Sequence, residues 1–597
     1  MPLYLPTLNA AEVLASRTNL AGSAERYGVD YNATAAQNVA RMNQCLVENR
    51  LVTLTKPGQY LFGGSGQGGI LVPSNTAIVI GHGVELIVAN ATFQPLIRNL
   101  NAHDIGTTLA SGIVYGGGGH GYTGTINHTG IAALHPVGSW IAIGGLDQSD
   151  GNNKGYHGVY RVYSSSGPNS ITYNMTLIPP SGGNSQPGAV IRVANSNIRI
   201  LGGLWNGNDT GNSGAYNDGD PRQFVVGTRN VHNVIVDGLA LLRGDSWAIG
   251  PNNVTNGTFR NLTGELLGNT LQTANAIIQG AGGSRNILIE NVQGDCEDNM
   301  VAWSLDSMTG GSVSYPNYDN GDVYGLTIKN VNSTNNYASI VALWANEHTK
   351  FRDVLVDGVS GRCNQAAVQV LGGYAPTAMN KTSGTRLQIR NISGIYGAPP
   401  IAIASEGDWD HIEINGVNNS APVAGGIPLV KVYRNSAITQ TIRRLTIKNL
   451  QGLSTIDRTG PAVEIGDSNI DNCDIEGLPN MRLSAGVSLI QHIGTLGSIR
   501  KITVANAHAT AAASGDCFVV SCENTNSTAI GRLTVRDCGF TGVDATGGLV
   551  RQAATGRVTR IRSDNNTMVN GENAAGIVRD NGTNPAPYDT VNVTTTT

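Results

Sequence analysis

One phrase returns along this chain and restricts what it can fold into. Arg285 to Ser304 reads as a short alternating strand, Arg285-Asn-Ile-Leu-Ile-Glu-Asn-Val, then an acidic turn, then a second apolar strand, Val301-Ala-Trp-Ser. The strand-and-corner part recurs as Asn233-Val-Ile-Val-Asp-Gly-Leu, Gly325-Leu-Thr-Ile-Lys-Asn-Val, Asp353-Val-Leu-Val-Asp-Gly-Val, Arg386-Leu-Gln-Ile-Arg-Asn-Ile, His411-Ile-Glu-Ile-Asn-Gly-Val, Arg444-Leu-Thr-Ile-Lys-Asn-Leu, Lys501-Ile-Thr-Val-Ala-Asn-Ala and Arg532-Leu-Thr-Val-Arg-Asp-Cys. Most neighbouring copies lie roughly 25 to 40 residues apart, the window in which repetition means a solenoid, propeller or array.

Each copy has apolar residues at every second position, so one strand face is buried and the other solvated. The Asn or Asp that follows, often beside Gly, tolerates left-handed dihedrals and turns the chain. One unit cannot bury its apolar face alone, whereas stacked units share a core and leave short edges. The repeat therefore predicts an all-β chain, a right-handed parallel β-helix.

Of the 597 residues 13% are charged, about half the usual share, and 78 are glycine. Tight corners and short strands need that composition, and one elongated domain with additions fits better than a string of globules. The expected division is 1–100 as N-terminal cap and first coils, 101–190 as a small inserted β domain, 191–570 as the coil proper, and 571–597 as a C-terminal cap or tail. The formal net charge is -4 and no basic block occurs, which argues against nucleic acid as a partner. No apolar run approaches the ~20 residues of a membrane span, so no membrane insertion is expected. The start, Met1-Pro-Leu-Tyr-Leu-Pro, lacks the basic and apolar regions of a secretory signal peptide. The seven cysteines are dispersed without a Cys-x-x-Cys pair, so they are expected as small hydrophobes inside the coil. No metal site or cofactor is expected.

The clearest helix signal is Ala35 to Asn49, with Val39, Met42, Leu46 and Val47 at helical spacing. This helix and the apolar runs from Val52 and Ile70 resemble the entry segment of pectate-lyase-like β-helix proteins, in which a helix caps the open end of the coil. From about Asn101 to Pro187 the repeat breaks, and Gly138-Ser-Trp-Ile-Ala-Ile, Gly158-Val-Tyr-Arg-Val-Tyr and Ser170-Ile-Thr-Tyr-Asn-Met predict an antiparallel insertion. Its tyrosines, Tyr156, Tyr160, Tyr163 and Tyr173, fit either a sugar-stacking face or ordinary packing.

Asn197-Ile-Arg-Ile-Leu-Gly-Gly-Leu-Trp-Asn-Gly-Asn-Asp, Asp245-Ser-Trp-Ala-Ile and Asn256-Gly-Thr-Phe-Arg-Asn-Leu-Thr resemble the polygalacturonase and pectate lyase superfamily. In polygalacturonases an Asn-Thr-Asp-Gly corner and a Gly-Asp-Asp corner bring aspartates together. Here the first corner carries Asn275 in place of the aspartate, and the second, Glu297-Asp298 before Asn299, matches. No Gly-His-Gly follows it. A hydrolase needs one protonated acid and one carboxylate, so Glu297 and Asp298 are candidates, with Asp295, Asp245 or Asp306 as partner. The alternative is an acidic turn that only forms a corner. A lyase needs a base and cations to neutralise a uronate carboxylate, and His348, Lys350, Arg352, Arg362 and Arg243 are candidates. Trp247, Trp303 and Trp344, with Trp409 farther on, fit either a row of sugar platforms or an internal aromatic stack.

The elongated coil, capping helix, insertion and missing export signal together resemble the receptor-binding tailspike proteins of bacteriophages. That resemblance implies a homotrimer in the virion tail that binds and depolymerises bacterial surface polysaccharide, capsule or lipopolysaccharide O-antigen, by hydrolysis or β-elimination. A secreted pectinase-like enzyme and a non-catalytic glycan-binding adhesin are the alternatives.

Overall fold

A computed structural model describes residues 22–63, 69–90, 95–102, 106–118, 121–144, 157–175, 188–208, 211, 225–243, 247–266, 276–305, 321–345, 349–372, 382–404, 407–420, 426–433, 441–451, 457–523, 530–543, 547–552, 558–570, 577–579, 588–591 and 594–596. The chain divides into two compact units, 1–336 with 348–350, and 337–347 with 351–597. Both are parallel β-coils, as the repeat predicts.

In the first unit the helix Ala35–Glu48 opens with a capping box between Thr34 and Gln37. It buries Val39, Met42, Cys45 and Leu46, while Val47, expected on the same apolar stripe, is exposed. Asn38 and Asn43 tie the helix to Leu61 and to Gly69 and Leu71 of the first strands. The strand Thr76–Val88 pairs in parallel with Leu51–Leu54 and Gly58–Phe62 on one side and Asn195–Asn206 on the other. Further rungs follow as Val226–Asp237, Ile249–Leu266, Arg285–Cys296 and Val323–Asn336. Their inward columns are apolar: Val236, Phe259, Ile289 and Ile328 stand in register and are buried.

Between Asn99 and Asn195 the chain forms a separate seven-stranded antiparallel sheet. Its core holds Ile126, Ile141, Ile143, Tyr160, Ile171 and Tyr173. The packing reading thus holds for Tyr160 and Tyr173, whose rings lie 4.9 Å apart; Tyr163 is exposed, and Tyr156 lies outside the described residues. The sheet rests on the coil through Trp140 stacked on His232 and through buried Arg285, which donates to His157 O at 2.8 Å and Tyr160 Oη at 2.9 Å.

In the second unit two families of strands alternate. Long strands include Ser383–Tyr396, Trp409–Asn419, Thr441–Gln451, Asn469–Leu483, Ser498–Ala511, Ile530–Arg536 and Val558–Asp564. Short ones include Val341–Ala345, Val368–Gly372, Ile401–Ala404, Val430–Tyr433, Val463–Ile465, Ser488–His492, Phe518–Cys522 and Gly548–Gln552. The stretch 571–597, expected as a cap or tail, supplies further strands in register: Ile577–Arg579, Tyr588–Val591 and Thr594–Thr596 pair with the rung before.

Asparagine makes the corners. Asn261, Asn291 and Asn330 all have φ between 52° and 57°, and each amide donates one rung back, to Asp237, Asn261 and Asn291 at 2.8, 3.0 and 3.1 Å. The left-handed backbone disfavours a β-carbon, and the amide repays it with a ladder bond. Asn449 and Asn565 repeat the device in the second unit. None of the seven cysteines is in a disulfide and all are buried; Cys473, for example, stands in the column of Leu445, Ile502 and Leu533. Burial pushes the Cys45 and Cys538 thiols up to about 11, so they are unreactive packing groups.

Candidate functional site

The acidic turn after Arg285–Cys296 serves first as structure. Asp295 Oδ1 accepts the backbone N–H groups of Thr334 and Asn335 at 2.9 and 2.6 Å, holding the next corner. Buried Asn336 accepts from Cys296 N and donates to Asp298 O at 2.6 Å. Asp298 Oδ1 accepts from the Asn299 amide at 2.7 Å. Asp295 thus forms a corner as the alternative reading expects, and Asp295, Glu297 and Asp298 are all half-buried. Asp245, Asp306, Asn275 and His348 lie outside the described residues.

The expected platform of tryptophans is largely internal. Trp303 has the same parity as inward Val301, is fully buried, and donates its indole N–H to Ala281 O at 3.1 Å. A β-carbon on Gly280, its neighbour one rung back, would stand 2.2 Å from that ring. Trp247 and Trp409 are buried too. Alternation points Trp303 inward; Trp344 of Val341–Ala345 is half-buried, between inward Leu343 and Ala345. Of the expected cations, Arg243 and Arg362 are exposed and Lys350 is half-buried. Arg243 occupies a corner at φ 46°, where its backbone N–H donates to Glu265 O.

The short strands of the second unit carry a polar outer column not singled out from sequence. Inward positions are apolar: Val341, Val368, Ile401, Val430, Val463 and Ile490 stand in register. The next position reads Ala342, Gln369, Ala402, Lys431, Glu464, Gln491, Ser521 and Arg551, of which Gln369, Lys431, Glu464, Gln491 and Arg551 are half-buried and Ala342, Ala402 and Ser521 are buried. Lys431 Nζ meets Glu464 Oε1 at 2.8 Å, with the Glu464 side chain only 15% exposed. Lys431 also lies 5.2 Å from the centre of the Tyr433 ring. On the far side, Gln491 donates to Glu523 Oε2 at 2.9 Å. Glu464 and Glu523 thus flank Gln491, on a sheet whose rungs advance about 4.8 Å each. The signal was present in Val430-Lys-Val-Tyr, Val463-Glu-Ile and Leu489-Ile-Gln-His, one polar residue inside each apolar triplet.

Chemically, this face offers two carboxyl groups, one held by a cation and one by an amide, beside aromatic surface. Such a set can bind hydroxyl-rich rings and transfer protons. Among the described residues no group of three or more His, Cys, Asp or Glu side chains is arranged to hold a metal ion, and no helix is long and apolar enough to cross a membrane.

No family model matches the chain and no curated protein is similar to it in sequence. Solved structures similar to it include phage tailspikes and a pectin-degrading enzyme. The tailspike gp49 from Pseudomonas phage LKA1 is 12% identical with a TM-score of 0.42, over 88% of this chain and 82% of that one. The tailspike of E. coli bacteriophage HK620, solved in complex with a pentasaccharide, is 11% identical with a TM-score of 0.38, over 99% and 84%. A family 28 exopolygalacturonase of Yersinia enterocolitica is 9% identical with a TM-score of 0.33, over 96% and 77%. At these values the likeness decides nothing about chemistry, which is read from this chain's own residues.

Proposed function

We propose that the chain binds a bacterial surface polysaccharide along the outer face of the short strands in its second unit and cleaves it by hydrolysis. The reading rests on the outer column Lys431, Glu464 and Gln491, with Tyr433 and Glu523 beside it: a half-buried ion pair, an amide and an aromatic ring on successive parallel rungs. A face with only a solubilising role has no reason to sequester a carboxylate at 15% exposure. Glu464 and Glu523 take the acid and base roles of a glycosidase; Glu297 and Asp298 are the second pair to test. Work as a homotrimer in a virion tail belongs to the same proposal and rests on the resemblance of the coil, capping helix and insertion to the organisation of tailspikes. Two carboxyl groups favour hydrolysis over elimination, which leaves an unsaturated uronate.

The test is a reducing-end assay on purified capsular and O-antigen polysaccharides, with ultraviolet absorbance to detect unsaturated product. Glu464→Gln and Glu523→Gln are expected to lower the rate by about 10²–10⁴ with binding retained. Full activity in both variants refutes their assignment, and loss in Glu297→Gln and Asp298→Asn instead moves the site to the first unit. Binding without cleavage of any glycan leaves an adhesin.

A further inference from the structure

The long strands of the second unit carry a different outer face. Three outward columns run in register over the last rungs: Asn472, Lys501, Arg532 and Arg560; Asp474, Thr503, Thr534 and Arg562; and Glu476, Ala505, Arg536 and Asp564. Between them lies a groove of about 450 Å³. Thr503 and Thr534 form its floor, because their short side chains, with buried Ala505 alongside, leave space that the longer neighbours enclose. Lys501 and Arg532 stand on one wall and Arg536 on the other, all three exposed. The groove's carboxylates are already engaged: Asp474 with Arg444 at 3.3 Å and Asp564 with Arg562 at 3.0 Å. No carboxylate among the described residues pairs with Lys501, Arg532 or Arg536. A chain of net charge -4 thus concentrates three uncompensated cations around one cleft.

We propose that this groove is a second saccharide site, selective for anionic substituents on a sugar chain, carboxylate or sulfate, and separate from the face that carries Glu464. Cations on successive rungs recur at about 4.8 Å, close to the advance of one residue along an extended glycan. The threonine hydroxyls and the two paired carboxylates supply hydrogen bonds to ring hydroxyls. Nucleic acid fits less well: the lining holds no aromatic ring for base stacking, and Asp474 and Asp564 oppose a polyphosphate. The proposal deepens the polysaccharide reading, but its binding test is independent of cleavage.

The experiment is calorimetric titration of the full chain with short oligogalacturonate, a short heparin oligosaccharide, neutral dextran oligosaccharide and single-stranded DNA. Either or both acidic saccharides are expected to bind, which identifies the favoured anion, and dextran is expected to bind at least roughly tenfold more weakly. Lys501→Gln, Arg532→Gln and Arg536→Gln together should cost roughly tenfold or more and flatten the salt dependence. Arg443→Gln, an exposed pair with Asp410 outside the groove, should leave affinity unchanged. Equal affinity of the triple variant, equal binding of dextran, or tighter binding of DNA each overturns the proposal. Loss of cleavage in Glu464→Gln with this binding intact separates the two sites.

Discussion

The asparagine ladder makes a quantitative demand on Asn291. Its backbone lies at φ 57°, its amide donates to Asn261 at 3.0 Å, and its carbonyl accepts from Asn330 at 3.1 Å. Asn291→Gly keeps the left-handed corner and deletes both bonds; at roughly 0.5–1.5 kcal/mol each, and toward the low end on an exposed corner, the cost is about 1–2 kcal/mol. Asn291→Ala deletes the same bonds and adds about 1–2 kcal/mol for a β-carbon in that region. Glycine's extra freedom in the unfolded chain returns about 0.4–1 kcal/mol of the difference, so alanine is expected to be worse by roughly 1 kcal/mol. Because rungs open locally, the assay is amide hydrogen exchange in the strands Arg285–Cys296 and Val323–Asn336. Exchange should speed by roughly 5–30-fold in the glycine variant and by a further factor of about 5 in the alanine variant. Alanine equal to or more protected than glycine refutes the idea that backbone conformation selects asparagine here.

Acid sensitivity should trace to His492, fully inside the coil in register with Ile465 and Cys522, whose pKa burial lowers from 6.5 to about 4. The folded state prefers the neutral ring, so its contribution is present above pH 6.5 and is lost as pH falls toward 4, by roughly 2 kcal/mol at pH 5. Thermal unfolding of His492→Leu should show a smaller drop between pH 7 and pH 5 than the parent; an equal drop contradicts this. Trp303→Ala should destabilise by about 3–5 kcal/mol without a specific effect on glycan affinity. Trp344→Ala should leave stability nearly unchanged and weaken glycan binding; the two are separated by measuring unfolding and binding on each.

The coil was legible because its signal is local and repeated: period-two alternation in Arg285–Cys296 and an Asn, Asp or Gly at each corner both survive translation into structure. The site was less so. Parity decides whether a ring such as Trp303 or Trp344 faces core or solvent, and one residue of register reverses it. The Asp295 carboxyl turned out to cap amides 39 and 40 residues later, a contact between rungs that no local pattern shows. The column Lys431, Glu464 and Gln491 is likewise spread over three repeats, each with one polar residue that looks incidental until the rungs are stacked. The basic groove escaped a search for charge runs for the same reason: Lys501 comes from the rung before the one that carries Arg532 and Arg536, and the three meet only when the strands stack.

The most direct measurement is a crystal structure of the Glu464→Gln variant soaked with an oligosaccharide from a cleaved polysaccharide. Sugar rings laid across successive short strands, with a glycosidic oxygen between residues 464 and 523 and a ring against Tyr433, are the expected result. An oligosaccharide bound only elsewhere, with that outer column uncovered, contradicts the account.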